Sequence, residues 1–306
     1  MNTMKQLNKG VYPTMITPFR NGKIDYNAVD EMLDFYMAAK VDGVFALCQS
    51  SEIFHMSQKE KIALSKHIVD FVGGRISVVA SGHTSDNLDE QAEELNEVHT
   101  TGVDAVIWIT NRLDLENLGD EYWIENAEKL LEKLDKDMQL GMYECPKPYK
   151  KLLSKTLIDW CLKKDRFTFI KDTCCDPEML ASRLKQIKGS PLMLFNANAQ
   201  TLYYSLKLGA AGYCGIMANF HPKLYTWLAH HADDERAQTV GELIEFMCMV
   251  ENEVYPVTGK YALQLNGINM TLDTRSDCVK GFTPYQKMII DDLHNLSKRI
   301  ESYLGV

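Results

Sequence analysis

Three polar side chains sit at the ends of apolar runs: Lys171, Tyr143 and Ser50. The run Phe167-Thr168-Phe169-Ile170 is aromatic and β-branched and stops at Lys171. Alternation puts Phe167, Phe169 and Lys171 on one strand face, with Thr168 and Ile170 on the other. In MQLGMYE (138–144), Gln139, Gly141 and Tyr143 share a face. Around 43–50, Ala46, Cys48 and Ser50 share a face opposite the bulky Phe45 and Leu47, a parity that aims Ser50 inward. An amine, a phenol and a hydroxyl then converge. A neutral lysine amine attacks a ketone to form a Schiff base, and burial among apolar walls lowers the lysine pKa from about 10.4. The cationic imine is an electron sink for making or breaking the adjacent carbon–carbon bond. A phenol moves protons and a hydroxyl relays them. Singly, each residue has a commoner use, as a solvated strand end, a packing ring or a cap; together they constitute a site.

The elements that must position them recur regularly. Strand candidates are 11–17, 43–49, 76–82, 104–110, 138–144, 167–171, 191–196 and 213–218, with amphipathic segments between them. Ser57 and Glu60 form a capping-box pattern, and Asp176-Pro177 is a cap followed by proline in the first helical turn. Eight β–α units in this length predict a (β/α)8 TIM barrel over 1–232. The competing doubly wound sheet lacks a GxGxxG after its first strand and lacks any P-loop. The glycines 209, 212 and 215 suit a tight helix-to-strand turn better than a phosphate cradle. From 233 to 306 the strand signals stop and three helices are expected, over 237–255, PVTGKYALQLNG, and a last helix capped by Thr283 with Pro284 following. These form a C-terminal helical domain.

Composition narrows the function classes. The 306 residues carry a formal net charge of −9, which argues against a nucleic-acid or membrane-surface binder. The opening MNTMKQLNKG lacks the apolar core of a signal peptide, and no apolar run is long enough to span a bilayer, so a cytoplasmic protein is expected. Eight cysteines occur (48, 145, 161, 174, 175, 214, 248 and 278) without a CxxC pair, and are read as free thiols, Cys174-Cys175 included. His230-His231 has no partner motif and is placed on a helix surface. No metal site is expected.

These segments, in this order, make the chain resemble the dihydrodipicolinate synthase / N-acetylneuraminate lyase family of pyruvate-dependent, Schiff-base-forming aldolases. GVYPTMITPF resembles the family's opening strand, CQSSE its GTTGE or GSTGE loop, and Asn111-Arg112 its YYNRP text. YECPKPY is similar to the YN-x-P segment, IKDT to the lysine motif, LGAAGYCGIMANFHP to the glycine-rich segment ending AN-x-x-P, and YPVTGKYALQLNG to the C-terminal helical region. The resemblance implies that Lys171 is the Schiff-base lysine and Tyr143 the proton-transferring phenol. It implies that the Gln49–Ser50 turn binds a 2-oxo-acid carboxylate, with Ser50 relaying protons to Tyr143 and the backbone around Cys214 lining the floor. It also implies a homotetramer, a dimer of dimers, with no cofactor beyond the lysine itself.

Departures from the family pattern bear on the substrate. Cys48, Gln49 and Ser51 stand where the family has Gly, Thr or Ser, and Gly; side chains at glycine positions restrict the backbone, and Ser51 competes with Ser50 for the relay position. Dihydrodipicolinate synthases insert a tyrosine across a subunit interface after strand four. Thr110 stands there, or Ile109 if the register slips. Pro148 falls where those enzymes hold the aldehyde's carboxylate with arginine, leaving Lys147 or Arg112 to offer a positive charge. Glu144 replaces an asparagine and would disfavour an anion nearby. The reading is a lyase or aldolase acting on pyruvate or another 2-oxo acid and an aldehyde or sugar-acid partner, other than dihydrodipicolinate synthase itself. The alternative is a catalytically impaired 2-oxo-acid-binding member.

Overall fold

A computed structural model describes residues 6–250, 253–276 and 280–306. Cys278 and residues 251–252 of the helix expected over 237–255 lie outside the described residues. Eight short parallel strands form one sheet: β1 (Gly10–Val11), β2 (Gly43–Phe45), β3 (Ser77–Ala80), β4 (Ala105–Ile109), β5 (Leu140–Tyr143), β6 (Phe167–Asp172), β7 (Met193–Asn196) and β8 (Gly212–Tyr213). Neighbours pair in the order β1-β8-β7-β6-β5-β4-β3-β2. A Thr14–Phe45 bridge, with the Met15 amide donating to the Phe45 carbonyl at 3.0 Å, brings β1 against β2 and rounds off the barrel. Strands β1, β2, β3 and β8 stop short of the apolar runs because the chain turns away at their carboxyl ends, where the cavity opens, whereas β6 runs one residue further than expected, to Asp172, and β7 loses only its first two residues.

The helices between them are α1 (Tyr26–Ala38), α2 (Gln58–Val72), α3 (Leu88–Thr100), α4 (Asp120–Leu131), α5 (Lys155–Leu162), α6 (Pro177–Ile187), α7 (Leu202–Lys207) and α8 (Pro222–His230). Their starts follow local chemistry. Ser57 and Glu60 form the reciprocal capping box of α2, and Asp176 caps α6 ahead of Pro177. Beyond the barrel come α9 (Ala237–Met247), α10 (Val257–Leu265) and α11 (Pro284–Leu304), the last capped by Thr283 as expected. Helix α11 buries Ile290, Leu293, Ser297, Ile300 and Leu304, a stripe at three- and four-residue spacing. It packs on α10 and α8, and one apolar cluster runs continuously from the barrel into these helices. Among the described residues, no helix is long and apolar enough to cross a membrane.

Two parity expectations fail for identifiable reasons. Phe167 does not share the lumen with Phe169 and Lys171: its ring packs on Trp108 and on Trp160 of α5, on the helix side. Leu140 pairs with Phe167 but Gly141 with Phe169, so Thr168 is an extra residue in the ladder and the alternation flips there. Phe45, expected to face the helices, faces the lumen instead, 5.6 Å from the Tyr143 ring and 6.3 Å from that of Phe169. Strand β2 ends at Phe45, so alternation cannot be carried through to Ser50.

None of the seven described cysteines is held in a disulfide. His230, at the last turn of α8, meets Asp42 at 3.0 Å, and His231 follows the helix with its Nδ1 2.8 Å from the Trp227 carbonyl.

Candidate active site

A cavity of about 800 Å3 opens at the carboxyl ends of the strands, walled in part by Lys171, Tyr143, Ser50, Gln49 and Tyr255. Lys171 and Tyr143 are register partners on adjacent strands, so the backbone ladder itself places them side by side. The Lys171 ammonium stands 4.1 Å from the centre of the Tyr143 ring and 5.7 Å from that of Phe45. Both residues are almost fully buried, Lys171 at 4% exposure. Among the described residues, Lys171 Nζ has no carboxylate within 4.0 Å and no hydrogen-bond partner. Below it the lumen is filled by Phe169 stacked on Phe195 at 4.4 Å, with Tyr12 edge-on. Gly141, between Tyr143 and the barrel floor, has no room for a Cβ, which would sit 2.9 Å from the Phe169 carbonyl and 2.5 Å from Ile107 Cδ1. Burial, with Cys145 adding to it, holds the Tyr143 phenol well above its usual range.

Ser50 reaches the cavity through a 3-10 turn, Gln49–Ser51, rather than through strand alternation. Its Oγ donates to Thr14 Oγ1 at 3.2 Å. Gln49 also faces the cavity, and its Oε1 accepts from the Cys145 thiol at 3.4 Å, tying the turn to the β5 loop. Ser51 does not reach the cavity. Its Oγ lies 2.8 Å from the carbonyls of Met15 and Ala46 and accepts from the Cys48 amide, closing the turn from behind. Neither Cys48 nor Ser51 needs a glycine-like conformation: Cys48 is extended, and the left-handed residue of the loop is Glu52, at φ 61°. Its side chain offsets the strain expected there, because the carboxylate pairs with Lys260 of α10 at 3.3 Å and accepts the Arg275 and Ser276 amides.

The loop after β5 is held from below. Thr110 does not line the cavity; its hydroxyl donates to the Lys151 carbonyl at 2.6 Å and approaches that of Tyr143 at 3.3 Å. The Asn111 amide nitrogen lies within hydrogen-bonding distance of the carbonyls of Cys145, Lys147 and Tyr149. Lys147, Pro148 and Arg112 line the cavity mouth, and the Arg112 guanidinium pairs with Asp86. Cys214 is fully buried, and Ile216, two residues further on, lines the cavity. Burial pushes the Cys214 thiol up to about 12, against the opposing charge of Lys171.

Glu144 corrects the expectation of an anion-repelling carboxylate. Alternation that turns Tyr143 inward turns Glu144 outward, where it is wholly buried. Arg183 meets it at 2.7 Å and also pairs with Asp172, while the Leu153 and Thr173 amides donate to its two oxygens. The Glu144–Arg183–Asp172 group therefore braces the ends of β5 and β6 from behind, away from the cavity.

Sequence reasoning missed Thr14, Phe45, Cys145 and Tyr255. Tyr255 stands two residues before the start of α10, lines the cavity, and lies 3.4 Å from Asn219 Nδ2. Its one local signal is the Tyr255-Pro256 pair at a helix start. Contact with Ser50, some two hundred positions earlier, has no sequence signature.

The geometry can be set beside known proteins. A sequence model of the Dihydrodipicolinate synthetase family matches residues 7–298. The chain is 26% identical over 268 residues to a 4-hydroxy-tetrahydrodipicolinate synthase of Methanocaldococcus jannaschii, covering 85% of this chain and 89% of that one. It is 23% identical to the enzyme of the same name from Bdellovibrio bacteriovorus, covering 89% and 92%. Among solved structures, a prophage protein of the dihydrodipicolinic acid synthase family from E. coli K12, in complex with pyruvate, superimposes with a TM-score of 0.82 at 19% identity over 96% of this chain and 98% of that one. CdNal from Clostridium difficile, in complex with mannosamine, gives 0.82 at 19% identity over 94% and 99%.

Proposed function

The chain belongs to the dihydrodipicolinate synthetase family, as a lyase/aldolase of that family, and on that premise we propose that Lys171 forms a Schiff base with pyruvate or another 2-oxo acid. The observation that carries the reading is the Lys171–Tyr143 pair: a buried amine, without a carboxylate partner, 4.1 Å from the ring of a buried phenol at the wall of one cavity. An amine so placed has no ion pair to break before it attacks the keto carbon. The amine adds to C2, the carbinolamine loses water, and the iminium left behind withdraws electrons from C3. Tyr143, kept protonated by burial, hands protons to and from the departing oxygen and C3. The Gln49–Ser50 turn receives the substrate carboxylate: the first amides of a helical turn have no internal acceptor.

The second partner is an aldehyde or sugar-acid-like molecule that meets the enamine at the cavity mouth, where Lys147 and Arg112 supply positive charge. The reaction named for the relatives, 4-hydroxy-tetrahydrodipicolinate synthesis, is the second reading, favoured by those names. Against it stands Pro148, which offers no bidentate donor for a carboxylate. A homotetramer is proposed on the resemblance, with no metal or organic cofactor used, since the iminium formed on Lys171 is itself the electron sink.

Borohydride reduction with pyruvate, followed by peptide mapping, tests the reading. An adduct on the peptide carrying Lys171 is expected. An adduct only with a different 2-oxo acid would change the donor, and none with any would leave a non-catalytic binder.

A further inference from the structure

Among the described residues, two phenols line the cavity, those of Tyr143 and Tyr255. Four polar side chains converge there. Ser50 Oγ donates to Thr14 Oγ1 at 3.2 Å, Ser50 and Tyr255 line the same cavity wall, and the Ser50 and Thr14 hydroxyls both act electrostatically on the Tyr255 phenol. Asn219 fixes the direction. Its Nδ2 lies 2.8 Å from the Ile216 carbonyl, 3.0 Å from the Thr14 carbonyl and 3.4 Å from the Tyr255 oxygen, while its Oδ1 accepts from Tyr36 at 2.5 Å. Because an amide nitrogen donates and does not accept, the phenolic proton is not given to Asn219 and is left for the Ser50–Thr14 pair. A tyrosine needed only for packing would not have its hydroxyl met by two other hydroxyls and an amide beside the carboxylate-binding turn.

We propose that Tyr255, carried by the same chain, is a positioning group of the proton relay: with Thr14 it extends Ser50 into a three-hydroxyl chain through which the proton lost from C3 of the Schiff base exchanges with solvent. The inference rests on the Lys171 reading above. Each hydroxyl passes on one proton as it takes one up, so the three finish unchanged. One proton leaves C3 as the C–H electron pair moves into the enamine, and one proton appears in water. Burial keeps the Tyr255 phenol well above its usual range, so it acts as a neutral donor and acceptor throughout the neutral pH range.

Pyruvate in D2O tests this, with methyl deuteration followed by NMR and imine formation followed separately by borohydride trapping. In Tyr255→Phe, deuteration slows about tenfold or more while the trapped yield on Lys171 and the pyruvate concentration giving half-maximal exchange stay near those of the unaltered protein. Thr14→Val, which interrupts the same chain and leaves the phenol in place, slows deuteration in the same way and serves if Tyr255→Phe does not fold. Deuteration at the unaltered rate in both variants, with trapping intact, overturns this inference alone. Loss of trapping and exchange together assigns Tyr255 to packing and also overturns it. No adduct in the unaltered protein overturns the Schiff-base reading itself, and the relay with it.

Discussion

Lys171 and Tyr143 are register partners on adjacent strands, and the ammonium of one lies 4.1 Å from the ring centre of the other. Their proximity is a property of the β5–β6 ladder, so changes to that ladder are changes to the site.

Lys171→Ala is expected to abolish turnover and borohydride trapping while the fold survives. No hydrogen bond or ion pair among the described residues is lost with the amine, so the melting temperature should move by only a few degrees. Thermal unfolding beside an activity assay checks both halves. Full activity would remove Lys171 from the mechanism.

Tyr143→Phe keeps the ring beside Lys171 and removes the proton carrier. The rate should fall by about 10²–10⁴, with trapping slowed but present. Steady-state kinetics over pH 6–9 measures this, and a loss of less than threefold would count against the assigned role.

Gly141→Ala should damage the site without touching it. The added methyl would meet Phe169 Cβ at 2.8 Å and its carbonyl at 2.9 Å, in the backbone of β6. Forcing β5 from β6 should cost about 1–3 kcal/mol and lower activity by separating Tyr143 from Lys171. Urea unfolding and kinetics on one preparation would show the two losses together.

Arg183→Ala leaves Glu144 and Asp172 buried without their shared cation. Breaking such a group costs about 3–5 kcal/mol. Denaturant midpoints measure the loss, and lowering the pH should recover part of it by protonating Glu144, whose carboxyl burial already pushes up.

Stability should fall as pH drops from 6.5 toward 4. His83 is fully buried, and burial pulls its imidazole down to about 4. Its Nε2 accepts from the Ile109 amide at 2.5 Å, which requires the neutral ring. Because the folded value lies below the unfolded one, the contribution is complete above pH 6.5 and is lost as pH falls through that window. Melting curves from pH 8 to 4 on the unaltered protein and on His83→Gln should diverge above pH 6 and converge below 5.

The local physics of the chain already determined the eight-fold alternation of strands and helices, the caps at Ser57, Asp176 and Thr283, and the placement of Lys171 and Tyr143 at strand ends. These depend on residues a few positions apart, and on spacings of two or about 3.6 that the sequence carries directly. Tertiary structure alone decided the rest. The bulge at Thr168 turned Phe167 out, because register belongs to a pair of strands and not to one of them. The early end of β2 turned Phe45 in and left Ser50 to a 3-10 turn. Glu144 became a brace because Arg183, on a helix far along the chain, supplies its counter-charge. Tyr255 joined Ser50 and Thr14 because α10 folds back across the barrel mouth, held there by the Glu52–Lys260 pair. Contacts between segments so distant in sequence arise from closing the barrel and packing its helices, and no local pattern encodes them.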